Sequence, residues 1–210
     1  MATDYYATFS PVHLVRSELC KPLTPLFKGR HSIESIADRL SYEHGRLSYD
    51  GGTARVTELG AALNTTSDWD GVEFHFVRDG RQWSLSIWSD IKHCSTVALC
   101  EPGASYQEQL NDQRARMKLL GLLLALMATL GASFCIVEAE STYRSRTKSE
   151  VEEWLRGLRN GDGPRDWVLV LCKTELISID QIPVEYRSVD SFCQTDGGDC
   201  WILSFMGPIC

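Results

Sequence analysis

The stretch that most constrains this chain is Ser105 to Gly131, SYQEQLNDQRARMKLLGLLLALMATLG. In its first half Tyr106, Leu110 and Met117 form one apolar stripe among Gln107, Glu108, Asn111, Asp112, Arg114, Arg116 and Lys118, and from Leu119 onward it is apolar all round. Ser105 with Glu108 fits the S-x-x-E capping box, and Gly131 stands where a left-handed C-terminal cap is wanted. The pattern predicts one helix over about 105–131, wetted at its start and engulfed in its second half, with Leu124 fully buried. The flanking sequence reads as strands, turns and short helices that need such an apolar surface to pack on. The uncharged run from Leu119 to Val137 is not a membrane span. Its helical part, Leu119 to Leu130, rises only about 18 Å against roughly 30 Å of hydrocarbon, and Gly131 and the strand-like ASFCIVEA end it.

A helix of this kind needs a core, and 210 residues that are 43% hydrophobic and 23% charged can supply one, so a single domain over 1–210 is expected. The charge balance of 21 basic against 28 acidic residues, net −7, argues against nucleic acid or an anionic membrane as partner and favours a basic one. The opening MATDYYATFSPVHL has no basic region followed by an apolar run, so a cytoplasmic, reducing location is expected. The eight cysteines are then read as free thiols. Cys135 and Cys172 lie in apolar strand-like runs, and no C-x-x-C or C-x-x-H spacing points to zinc. Cys193 and Cys200 flank QTDGGD and could stand opposite each other in a hairpin.

Tyr5 to Phe9 reads as a first strand, and Pro11, Pro22 and Pro25 make 11–31 an irregular segment wrapping the surface. HSIESIADRLSYEHG predicts a helix capped by Ser32, with Ile33, Ile36, Ala37 and Leu40 on one face and Gly45 as its stop. RLSYDGGTARV reads as a short hairpin around Asp50-Gly51-Gly52, and TELGAALN as a weak helical turn. The firmest β signal is GVEFHFVRDGRQWSLSIWS, where Asp79-Gly80 supplies a two-residue turn. Phe76 then faces Trp83, Phe74 faces Leu85 and Val72 faces Ile87 on a core face, while Glu73–Ser86, His75–Ser84 and Val77–Gln82 share a nearly polar one. A third strand follows near Ser95–Leu99. Beyond the long helix come a buried strand in ASFCIVEA, a helix in KSEVEEWLRGLRNG capped by Ser149, a buried strand in DWVLVLCK and a second hairpin in YRSVDSFCQTDGGDCWILSF. The fold class is α+β: a largely antiparallel sheet with hairpins, covered by one long core helix (about 105–131) and shorter helices.

No catalytic signature emerges. G-x-S-x-G, G-x-x-x-x-G-K and dinucleotide fingerprints are missing, so no catalytic residue, cofactor or metal is assigned. Glu138 and Glu140, at the end of a buried strand, are where a metal-dependent hydrolase could place carboxylates, but no partner Asp or following Lys accompanies them. His93-Cys94 are strand neighbours pointing to opposite faces, and His75 reads as a surface histidine. Asn64-Thr65-Thr66 matches a glycosylation sequon. What remains is a set of acidic, aromatic-bearing loops: Asp68, Trp69 and Asp70 in SDWDG, Asp79, and Asp196 and Asp199 in TDGGDCW. Trp69 beside carboxylates suits an interface anchor with a charged surround.

With its acidic composition, the aromatic hairpin VEFHFVRDGRQWSLSIWS, the apolar LLGLLLALMATLG and no enzyme motif, the chain resembles bacterial immunity proteins that neutralise polymorphic or type VI secretion toxins. The α+β group paired with restriction-endonuclease-like nuclease toxins is the nearest in character. The resemblance implies a non-enzymatic inhibitor that binds a cognate basic protein toxin and occludes its active site. The alternatives are a metal-dependent hydrolase or nuclease using Glu138 and Glu140, and a structural or scaffolding component.

Overall fold

The computed structural model describes residues 4–14, 18–27, 32–43, 46–50, 71–78, 80–91, 94–101, 108, 111–139, 146–159, 167–184, 187 and 192–204. Among them ten strands form one sheet: β1 Tyr5–Val12, β2 Ser32–Glu43, β3 Arg46–Asp50, β4 Gly71–Arg78, β5 Arg81–Ile91, β6 Cys94–Glu101, β7 Phe134–Ala139, β8 Trp167–Lys173, β9 Phe192–Gln194 and β10 Cys200–Ser204. Their order is β3-β2-β4-β5-β6-β1-β7-β8-β10-β9, and every neighbouring pair is antiparallel. The helices bounded within the described residues are α1 Cys20–Leu23, α2 Gln113–Thr129 and α3 Lys148–Arg159, with 3-10 turns at Thr24–Phe27 and Ile179–Gln181. The class is α+β.

The β4–β5 hairpin has the register read from its sequence, Phe76 opposite Trp83, Phe74 opposite Leu85, Val72 opposite Ile87 and His75 opposite Ser84. Gly80 turns it with φ at 77°. Phe76, Trp83, Leu85 and Ile87 are buried on one side, as alternation requires. The opposite side is polar yet not solvated at Ser84 and Ser86, which are both buried.

The segment 32–43 corrects the helix expected there: it is a strand pairing with β4 on one side and β3 on the other. Its pairing with β4 shifts register twice, between Ile33 and Ser35 and between Ala37 and Arg39. The first shift places Ile33 opposite Phe76 and Ile36 opposite Phe74, partners only two residues apart. A bulge that adds one residue turns a strand period of two into a spacing of three, which in sequence imitates a helix. Arg46–Asp50, the first arm of the hairpin read there, is a strand paired with β2, while the second arm beyond Asp50 and the TELGAALN turn lie outside the described residues.

The long helix is shorter than its pattern. α2 begins at Gln113, and Asp112 is its N-cap in extended conformation (φ −109°, ψ 114°), accepting from the amides of Arg114 at 2.8 Å and Ala115 at 3.3 Å. An Asp carboxylate that satisfies orphan amides sets a helix start there, so the pattern is interrupted at Asp112, with Glu108 and Asn111 helical ahead of it. Leu119, Leu120, Leu123, Leu126 and Met127 are buried, but Gly121, Ala125 and Ala128 are exposed and Leu122 and Leu124 only half-buried. The second half is therefore one-sided rather than engulfed.

The described residues 11–14 and 18–27 also differ from the surface wrap expected over 11–31. β1 runs through Pro11 to Val12, and Leu19, Leu23 and Leu26 around α1 are fully buried. With α2 they cover one face of the sheet, packing with Phe9, Leu85, Ile87, Val97 and Val137. The other face is covered at its β7–β8–β10 end by α3, whose Val151, Trp154 and Leu155 meet Phe134, Ile136, Val170 and Leu203. Thr147, not Ser149, caps α3: its hydroxyl accepts from the Glu150 amide at 3.3 Å while Glu150 Oε2 accepts from the Thr147 amide at 2.7 Å. Among the described residues no helix is long and apolar enough to cross a membrane.

Candidate functional site

The C-terminal half of α2 and the turns that follow β8 and precede β10 enclose a groove of about 470 Å³. Leu124, Met127 and Ala128 supply its apolar wall; Lys173, Thr174, Glu175, Thr195, Asp199 and Cys200 supply the rest. Local chemistry builds the polar side. Gly198, at φ 70°, closes the 195–199 turn by donating its amide to the Thr195 carbonyl at 2.8 Å, and the Thr195 amide donates to the Cys200 carbonyl at 3.0 Å. Thr174 ties the two turns together, its amide donating to the Asp199 carbonyl at 3.0 Å and its hydroxyl to the Gly198 carbonyl at 3.1 Å.

Among the described residues the charged groups of the groove have no ion-pair partner. The Asp199 carboxylate accepts one hydrogen bond, from the Thr195 hydroxyl, and among the described residues neither it nor Glu175 has an ion-pair partner. Met127 and Ala128 lie in the last turn of α2, where the helix dipole is negative, and that turn carries no basic residue. Gly131, at φ 66°, turns the chain away as the left-handed cap read from its sequence. Lys173 is the cation on the wall, also unpaired within ion-pair distance among the described residues.

The thiol on this wall is buried. The Cys200 thiol is pushed up to about 12, first by burial and then by the Asp199 carboxylate, with Lys173 only partly offsetting them. Burial likewise raises Cys172 to about 12 and raises Cys135. All three are free thiols, as the apolar runs around Cys135 and Cys172 imply for those two. Cys193 and Cys200 are not opposite each other: Cys193 pairs with Ile202, and both thiols are free.

Glu138 proves to be an ion-pair partner. Arg146 Nη2 donates to both its carboxylate oxygens, at 3.0 and 2.9 Å, with both residues buried, and the Arg146 amide donates to Ser10 Oγ at 3.0 Å. A carboxylate so engaged is poorly placed to ligate a cation, and among the described residues no group of His, Cys, Asp and Glu could hold a metal ion. The pair fastens the approach to α3 onto β7 and β1. Sequence reading missed it because eight positions separate the partners and no periodic pattern links them.

Of the acidic-loop residues, Asp196 and Asp199 sit in the β9–β10 turn, Asp196 exposed and Asp199 on the groove wall. Asp68, Trp69, Asp70 and Asp79, like Glu140 and His93, lie outside the described residues. The described end of the β4–β5 hairpin has Arg78 opposite Arg81 and Gly80 in its turn. That end of the sheet also holds Glu101 and Tyr5, whereas Cys200, Lys173 and Phe134 mark the other end. Five strand steps separate β5 from β10, about 24 Å at roughly 4.8 Å each, so the β4–β5 hairpin end and the β9–β10 turn are far apart. Compared with known protein families, curated proteins and solved structures, the chain matches none of them.

Proposed function

We propose that this protein is a non-enzymatic binding protein of the immunity type, acting in the cytoplasm to neutralise a cognate basic protein toxin by covering its active site. The observation that carries this reading is the surface formed by the open face of α2 and the groove beside it. Gly121, Ala125 and Ala128 leave that face exposed without a charge between Lys118 and the helix end, and the carboxylates of Asp199 and Glu175, without an ion-pair partner among the described residues, border it. An apolar centre with a charged margin is how protein interfaces are built, and the net charge of −7 favours a basic partner. The elevated thiols and the Arg146-bound Glu138 support binding over catalysis.

The test is co-expression with the product of the adjacent gene, pull-down, and surface plasmon resonance with the purified pair. Ala125→Arg, on the open helix face, should raise the dissociation rate sharply while circular dichroism stays unchanged. Wild-type binding by that variant, or a neighbouring product that never co-purifies and is not toxic, would remove the basis for this reading.

A further inference from the structure

We infer that the groove beside α2 receives a lysine or arginine side chain of a protein partner, its methylenes lying on Leu124 and Met127 and its charged head reaching Asp199 and Glu175. This rests on the reading of the α2 face as a protein-binding surface, and goes beyond it by assigning the chemistry of the residue that enters.

Three separate features converge on a cation with an aliphatic stem. Leu124 is half-buried and Ala128 exposed above a buried Met127, so apolar area is still available at the wall. A long basic side chain gains by laying its stem on such a surface while its head stays polar. The carboxylates at the mouth have no intramolecular ion-pair partner among the described residues. Finally, the helix end that opens here carries the negative pole of its dipole with no basic side chain in its last turn. An acidic residue would meet two carboxylates and that pole, and a purely aliphatic one would leave the carboxylates unmatched. Lys173 works in the opposite direction and provides an internal control, because removing its charge should help a cation enter.

The experiment uses the full chain as bait for phage-displayed random dodecapeptides, with binders ranked on wild type, Asp199→Asn/Glu175→Gln, Lys173→Gln and Ala125→Arg. The expected result is enrichment of peptides carrying Lys or Arg next to aliphatic residues. Their affinity should fall by about tenfold or more on the double carboxylate variant and rise on Lys173→Gln. All substituted side chains are exposed or half-exposed, so circular dichroism should report intact folds. Enriched peptides without basic residues, or basic ones that lose binding to Ala125→Arg but ignore the carboxylate and lysine changes, would overturn the inference and leave the binding-surface reading standing. Absence of any binder, or binding indifferent to every variant, would overturn both.

Discussion

At the scale of single residues, Glu138 and Arg146 form a bidentate ion pair. Both are buried and joined by two hydrogen bonds, so removing one partner strands a charge away from water. Glu138→Ala should cost about 3–5 kcal/mol in urea denaturation, whereas replacing both residues by leucine should cost clearly less, because the desolvation penalty disappears with the pair. Equal losses from single and double variants would show that the pair is not coupled. Burial of the thiols makes a second prediction. Cys172 and Cys200 have pKa values raised from 9.0 to about 12, so the folded state holds protons that the unfolded state releases. A raised pKa contributes stability that is complete below the unfolded value and is lost as pH rises from 9 towards 12. The urea midpoint should fall over that alkaline range, and fall less in Cys172→Ala relative to its own neutral value.

At the scale of elements, the two clearest helix and hairpin signals yield different lessons. Leu123 is 1% exposed and Leu124 half-buried on the same helix. Leu123→Ala should therefore cost about 2–5 kcal/mol and Leu124→Ala only about 1–2 kcal/mol, since less apolar area leaves water at 124. Chemical denaturation would reveal a reversed order if α2 were rotated. In the hairpin, Gly80 has φ 77° and open space around an added Cβ, so any penalty comes from the backbone and not from a clash. Gly80→Val should cost about 1–3 kcal/mol and Gly80→Asn much less, because Asn tolerates the left-handed region and a β-branched residue does not. Similar melting temperatures for the two variants would contradict that assignment.

For the whole molecule, the sheet sets which acidic groups can act together. Asp199 and Asp196 share a turn beside α2, while the β4–β5 turn is five strands away at the other end of the strands. A basic partner seated on α2 should therefore associate more slowly when Asp196 and Asp199 are both changed to Asn, with its dissociation rate changed less. Raising salt shortens the Debye length from about 10 Å at 0.1 M to about 3 Å at 1 M and should slow association of the wild type in the same way. Surface plasmon resonance across a salt series measures both effects. A salt-independent association rate would rule out steering by these carboxylates.

The parts legible in sequence were those whose physics is local. The β4–β5 register follows from one turn glycine and a period-two pattern, and the strands in ASFCIVEA, DWVLVLCK and the C-terminal hairpin follow from uninterrupted apolar runs bounded by turn residues. Gly131 ends α2 because only the backbone at that point has to turn left-handed. The parts decided by tertiary structure depended on partners distant in sequence. Residues 32–43 are a strand because β4 offers an edge and a bulge sets Ile33 opposite Phe76 and Ile36 opposite Phe74, although their spacing alone satisfies a helix equally well. α2 keeps one apolar face open because the sheet covers only the opposite stripe. The groove exists because two turns far apart in the chain, after β8 and before β10, are joined through Thr174 at the end of that helix, and no local pattern in either turn specifies the other.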